Sequence, residues 1–130
     1  MKKEEIITII IMSIIIIADL ITQKYLDNTV SLVSGKLYDL KEIASDNEEM
    51  QVNELENRIN DIYKEWKDKC EELSYFIDHE GMEEIDLNLE KAKENFKLNQ
   101  KDDAITEINE GIYKLNFLRD KQKLTLSNVF

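Results

Sequence analysis

The stretch SYFIDHEGMEEID, Ser74 to Asp86, holds the one histidine of the chain and, within nine residues, the acids Asp78, Glu80, Glu83, Glu84 and Asp86. An imidazole among carboxylates is equipped to sense pH, to move a proton or to help ligate a cation. A zinc protease needs two histidines four apart on one helix face, H-E-x-x-H. Here His79-Glu80 is followed by Gly81-Met82-Glu83, and the second histidine is missing. A calcium loop of the EF-hand kind needs glycine at its sixth position, whereas Gly81 is fourth counting from Asp78. A looser carboxylate site for a cation stays open, but acids at a helix start also suit the positive end of the helix dipole with no ion present. The spacing puts His79 in the last turn of a second helix, where the negative end of the dipole and nearby carboxylates favour an imidazolium. That structural role is the preferred reading, and a pH- or cation-responsive site at this corner is the alternative.

Nucleophilic chemistry finds less to work with. Cys70 and His79 stand nine residues apart on what reads as one helix, about 13 Å of rise and beyond hydrogen-bond reach. A single cysteine forms no intrachain disulfide and no thiolate zinc site, and it reads as a small buried side chain. With 28 acids, chance pairing of carboxylates is unavoidable and marks no acid–base site. No glycine-rich phosphate loop occurs. Trp66 falls at helical spacing and reads as core before it reads as a binding platform. The expectation is therefore no enzyme, no cofactor, no metal and no small-molecule substrate. A net charge of −11 also argues against nucleic acid, which needs a basic footprint.

These residues hang from a helical framework that begins with an apolar run. After MKKEE comes IITIIIMSIIIIADLI, with Ile6, Ile10, Ile14, Ile17 and Ile21 along it and Asp19 as its one charge. Sixteen residues rise about 24 Å, somewhat short of a hydrocarbon core of about 30 Å. Lys3 and Lys24 can snorkel toward the two interfaces. A cleaved signal peptide competes, with Ala18 at the cleavage point, but bulky Ile16 and the following Asp19 fit it poorly. An uncleaved anchor over residues 1–21, followed by an exported acidic domain over 22–130, is the preferred organisation. Lys2 and Lys3 precede the span and Lys24 alone follows closely, so the positive-inside rule puts the N-terminus in the cytoplasm and the rest outside.

Beyond the run, Leu26, Val30, Val33, Leu37, Leu40 and Ala44 recur at spacings of four and three, one stripe continuing the same helix. Gly35 weakens that helix unless a neighbour packs closely against it. Ser45-Asp46-Asn47-Glu48 reads as a capping box opening a second helix, from Asn47 to His79, with Val52, Leu55, Ile59, Ile62, Trp66, Leu73, Phe76 and Ile77 as its stripe. Gly81 reads as its left-handed C-terminal stop. A third helix carries Ile85, Leu89, Ala92 and Phe96; after the polar break Asn99-Gln100-Lys101, Asp102 can cap a fourth with Ile105, Ile108, Ile112, Leu115 and Leu118. The tail KLTLSNVF leaves helical spacing. The fold expected is all-α: an N-terminal transmembrane helix continuing into an antiparallel up-down bundle of about four helices, the long first pair projecting as a stalk. A faint likeness of the last two helices to a tetratricopeptide hairpin does not exceed what any helical hairpin shows.

The run WKDKCEELSYFIDHEGMEEIDLNL, together with the apolar N-terminal span and the ending Leu126-Ser127-Asn128-Val129-Phe130, resembles the bacterial family called domain of unknown function 4363. The residues that carry the resemblance are Trp66, Leu73, Phe76, Asp78, His79, Ile85, Asp86, Asn128 and Phe130. Gly81 stands where the resemblance implies an uninterrupted helix after the histidine. It implies a small protein with one N-terminal membrane segment and a helical remainder, frequent in spore-forming Gram-positive bacteria and encoded beside multi-pass membrane proteins. It implies no activity, but gives the corner formed by Trp66, Phe76, Asp78, His79 and Asp86 more weight than composition does.

Together these readings describe a membrane-anchored, non-enzymatic accessory protein of the cell envelope. Its expected partners are the membrane, an integral membrane protein, and a second copy of itself through the Leu26–Ala44 stripe. The tail residues Asn128, Val129 and Phe130 are candidate contacts.

Overall fold

Two kinds of apolar patterning share one uninterrupted helix. In α1 (Lys3–Asp46) the first part is apolar on every side, while the part after Ile21 keeps only a stripe. An all-round apolar helix has no core-facing side to choose, and Ile6, Ile10, Ile14, Ile17 and Ile21 are all exposed. The stripe residues Leu26, Val30, Val33, Leu37, Leu40 and Ala44 are all buried. The computed structural model describes residues 2–46 and 51–129, with side chains as far as residue 124.

Three further helices complete the fold: α2 (Val52–Leu73), α3 (His79–Lys97) and α4 (Lys101–Val129). Each packs against its chain neighbours, α4 closes back on α1, and the diagonal pairs do not meet among the described residues. This is the square cross-section of an up-down four-helix bundle, as the short connections imply. The core runs along α1 from Leu26 to Ala44 and along the other three helices, with Trp66 and Phe96 as its largest fully buried side chains. Among the described residues no α1–α2 stalk projects, because buried residues reach from Leu55 to Leu73 on α2; what overhangs is the apolar start of α1.

Several boundaries differ from the sequence reading, for local reasons. Ser45 does not open α2. Its hydroxyl donates back to the Lys41 carbonyl at 2.9 Å, inside the last turn of α1. The N-cap of α2 is Gln51, which makes no side-chain capping bond; Asn47 and Glu48 lie outside the described residues.

The second helix stops at Leu73 rather than His79. Asp78 is the stronger punctuation: its carboxylate accepts from the backbone N–H of Glu80 at 3.1 Å and starts α3. His79 is thus the first residue of α3, at the positive end of a helix, and the dipole support expected for it is absent. The five-residue connection turns Ile77 into the core and leaves Phe76 exposed, against the expectation that Phe76 belongs to the stripe.

Gly81 is helical, with no positive φ, and α3 runs through it; a side chain there would meet the Leu118 Cδ1 at 3.1 Å. The left-handed residue is Asn99, φ 58°. Around it the Gln100 N–H reaches the Asn95 carbonyl at 2.8 Å and the Asn99 N–H reaches Phe96 at 3.0 Å, a Schellman closure of α3. Asp102 lies inside α4 rather than capping it, and the backbone of the KLTLSNVF tail is helical through Val129.

Candidate functional site

The corner between α2 and α3 is built around Asp78. Besides the Glu80 N–H, its carboxylate faces the Lys121 ammonium of α4 at 3.4 Å. These contacts hold its carboxyl below the usual carboxylate range, the backbone N–H of Glu80 contributing most. His79 is exposed beside it. Asp78, Glu80 and Glu84 share a cleft of about 250 Å³ with Lys114, Phe117, Leu118 and Lys121. The Lys121 ammonium already faces one of those carboxylates, that of Asp78. Among the described residues no three His, Cys, Asp or Glu side chains form a group that could hold a metal ion, so the corner offers no such ligand set.

Trp66 and Asp86 belong to a different place. Trp66 is fully buried, and its indole N–H donates to the Asp86 carboxylate at 2.6 Å; Lys67 donates to the other oxygen at 2.8 Å. A buried indole needs an acceptor, and an ionised one makes a strong, charge-assisted bond. Asp86 lies eight residues beyond Asp78 on α3, about 12 Å of rise. The five residues grouped from the sequence therefore form two sites: a polar staple across α2 and α3, and an exposed corner. Further links follow the staple: Tyr63 to Glu90 at 3.2 Å and Lys93 to Asn60 at 3.1 Å. Cys70 is buried just below, its thiol pushed up to about 12 by burial first and the Asp86 charge second, with Lys67 opposing. Such a thiol is unreactive.

Two polar features went unread in the sequence. Asn88, buried on α3, donates to Glu107 at 2.8 Å and Glu110 at 2.9 Å on α4, while its own carbonyl oxygen has no partner. Near the start of the bundle, Tyr25 of α1 bonds Glu72 of α2, which pushes the phenol up to about 12, burial adding less. The Lys69 ammonium lies over the same ring, 5.4 Å from its centroid. Thr22, Gln23 and Thr29 are buried on α1, Gln23 donating to Asp27 at 3.0 Å. The available signal was register: Asn88 falls three after Ile85, and Thr22 and Thr29 fall four before and three after Leu26. Polar residues on an apolar stripe are helix-seam residues.

The profile of the family described as Domain of unknown function (DUF4363) matches residues 20–129. The chain belongs to that family. No curated protein and no solved structure matches it significantly. The DUF4363 match starts at the end of the apolar run and covers the whole bundle, including the staple and the corner. The helix that carries the run, α1, is the one helix, among the described residues, long and apolar enough to cross a membrane. Of the tail residues, Asn128 and Val129 lie in the backbone of α4, their side chains outside the described set, and Phe130 lies outside it altogether.

Proposed function

We propose that this chain is a membrane-anchored, non-enzymatic interaction protein of the bacterial cell envelope, its bundle binding an integral membrane partner. The observation that carries the reading is the contrast within α1. Among the described residues its apolar start is largely exposed, yet it continues without a break into a bundle whose stripes cover one another. A rigid helical continuation holds the bundle at the bilayer and raises its local concentration for a membrane partner. The non-enzymatic part is supported by where the polar groups go: Trp66, Asp86, Lys67 and Asn88 are engaged in helix-to-helix links, and Cys70 is held as a thiol.

The Leu26–Ala44 stripe is buried within the chain, so self-association would use another face. The N-terminus is proposed to be cytoplasmic, from Lys2 and Lys3, and the bundle external. The cation-responsive alternative loses support because the Lys121 ammonium already faces the Asp78 carboxylate.

Crosslinking and affinity capture of the full-length protein from its own membranes tests the reading. A discrete integral membrane protein should be recovered, and recovery of the chain alone, or of the chain free in the medium, would overturn it. Because Cys70 is buried, orientation is read with an impermeant maleimide at Asn57→Cys on the exposed face of α2; labelling of intact cells is expected.

A further inference from the structure

We infer that the α2–α3 connection is a second point of membrane contact, with Tyr75 and Phe76 seated among the lipid headgroups. The inference rests on the anchor reading above and adds a surface to it. Tyr75 is 85% exposed and Phe76 59% exposed, neighbouring rings held edge to face at 6.5 Å. Adjacent bulky aromatics, this exposed on a short turn, are not explained by the core, which takes Ile77 instead.

Their position in the bundle supplies the explanation. α1 leaves the apolar run upward, so α2 returns, and its last turn comes back to the level where α1 enters the bundle. Cross-links fix that level: Tyr25 with Glu72, Lys69 over Tyr25, and Lys123 of α4 with Asp27 of α1 at 3.9 Å. The first buried residues of α1 are Thr22 and Gln23, and just before them lie exposed Leu20 and Ile21. The connection therefore lies on the floor of the bundle, beside the end of the apolar run.

The length of that run sets how close the floor comes to lipid. Sixteen residues, Ile6 to Ile21, rise about 24 Å, against a hydrocarbon core of about 30 Å. A short span is accommodated by thinning the bilayer or by drawing its flanks into the interface. Either response brings the floor to headgroup depth, where aromatic rings are favoured over aliphatic ones. The acids beside the rings select the lipid. Asp78 is engaged by Lys121, but Glu80 and Glu83 are exposed, so a zwitterionic surface is favoured over an anionic one. A tether plus an aromatic foot would fix the tilt of the bundle, which a single helix leaves free.

The test uses the full-length protein reconstituted in phosphatidylcholine vesicles, unbrominated or carrying bromine either near the carbonyl end of the acyl chains, to reach the floor, or deep along them, to reach position 14. Phe76→Trp and Tyr75→Trp report the floor, Ile14→Trp reports the anchor, and Tyr38→Trp, exposed farther up α1, reports the bundle side. Trp66, fully buried, contributes the same background to each. Emission at position 76 or 75 is expected to fall about twofold with brominated lipid, as for groups lying about 5–10 Å into the headgroup boundary, while position 38 is unaffected. Quenching at 14 with 75 and 76 behaving like 38 overturns the inference and leaves the anchor intact. No quenching at 14 defeats the anchor reading, and this one with it. A blue shift at 76 in native membranes without quenching in pure lipid assigns the rings to a protein contact and also overturns it.

Discussion

The seam between α2 and α3 and the seam between α3 and α4 use the same middle helix but treat polar groups oppositely. On the α2 side, the buried indole of Trp66 has its acceptor, and Asp86 serves it and Lys67 with separate oxygens. On the α4 side, Asn88 gives its amide to two glutamates that repel each other, and its buried carbonyl oxygen goes without a partner. A satisfied buried network is costly to interrupt, whereas a half-satisfied one gives little and is easily replaced. The α2–α3 seam should therefore dominate stability and the α3–α4 seam should tolerate change.

The largest test removes the large side chain. Trp66→Ala empties a fully buried site and is expected to destabilise the bundle by about 3–5 kcal/mol, read as a lower urea midpoint at unchanged slope. A loss no bigger than that of a surface substitution would break the comparison at once. Next, Asp86→Ala leaves the indole N–H buried without an acceptor, an expected loss of about 1–3 kcal/mol. Asp86→Asn keeps an acceptor for the indole and should recover most of it. If the two variants match, the indole bond is not what holds the seam.

The same seam sets an alkaline limit. Cys70 binds its proton more tightly folded than unfolded, so its contribution is fully present below the unfolded thiol range. It is lost as pH rises toward its folded value of about 12. Tyr25, also raised to about 12, acts in the same direction at the foot of the bundle. The urea midpoint should fall from about pH 9 upward, because unperturbed thiols titrate near there. Cys70→Ala should flatten the early part of that fall. An unchanged profile would mean the thiol is not desolvated in the fold.

These contrasts also mark how far the sequence could be read. The helical stripes were legible because period alone decides which face is buried, and Leu26 to Ala44, Leu55 to Trp66 and Ile85 to Phe96 are buried as their spacing implies. The break at Leu73 was not, because no glycine or proline marks it. It follows from Asp78 outcompeting helix continuation with one side-chain bond to Glu80. Gly81 was misread for the same reason in reverse: a glycine suggests an end, but here it gives Leu118 room beside a continuing helix. Trp66 and Asp86 were both singled out, yet their bond spans twenty residues and a turn of unread length. Register across that turn decides whether they meet each other or the corner.

Two small changes on the α4 side complete the comparison. A side chain at Gly111 would lie 3.7 Å from the Asn88 Cβ and 4.0 Å from the Leu89 Cδ2, ordinary contact distances. Gly111→Ala should then stabilise α4 by up to about 1 kcal/mol through helix propensity.

Asn88→Leu is the smallest effect and the most discriminating. It removes a buried amide whose carbonyl has no partner, along with its bonds to Glu107 and Glu110. Glu110 is exposed and Glu107 partly so, and both carboxylates can turn to water once released. Loss of the unpaired oxygen offsets loss of the two bonds, so the midpoint should stay within about 1 kcal/mol of the parent. A loss as large as that of Asp86→Ala would mean that the carbonyl of Asn88 is satisfied in solution. The two seams would then be alike, each a satisfied set of polar bonds between two helices.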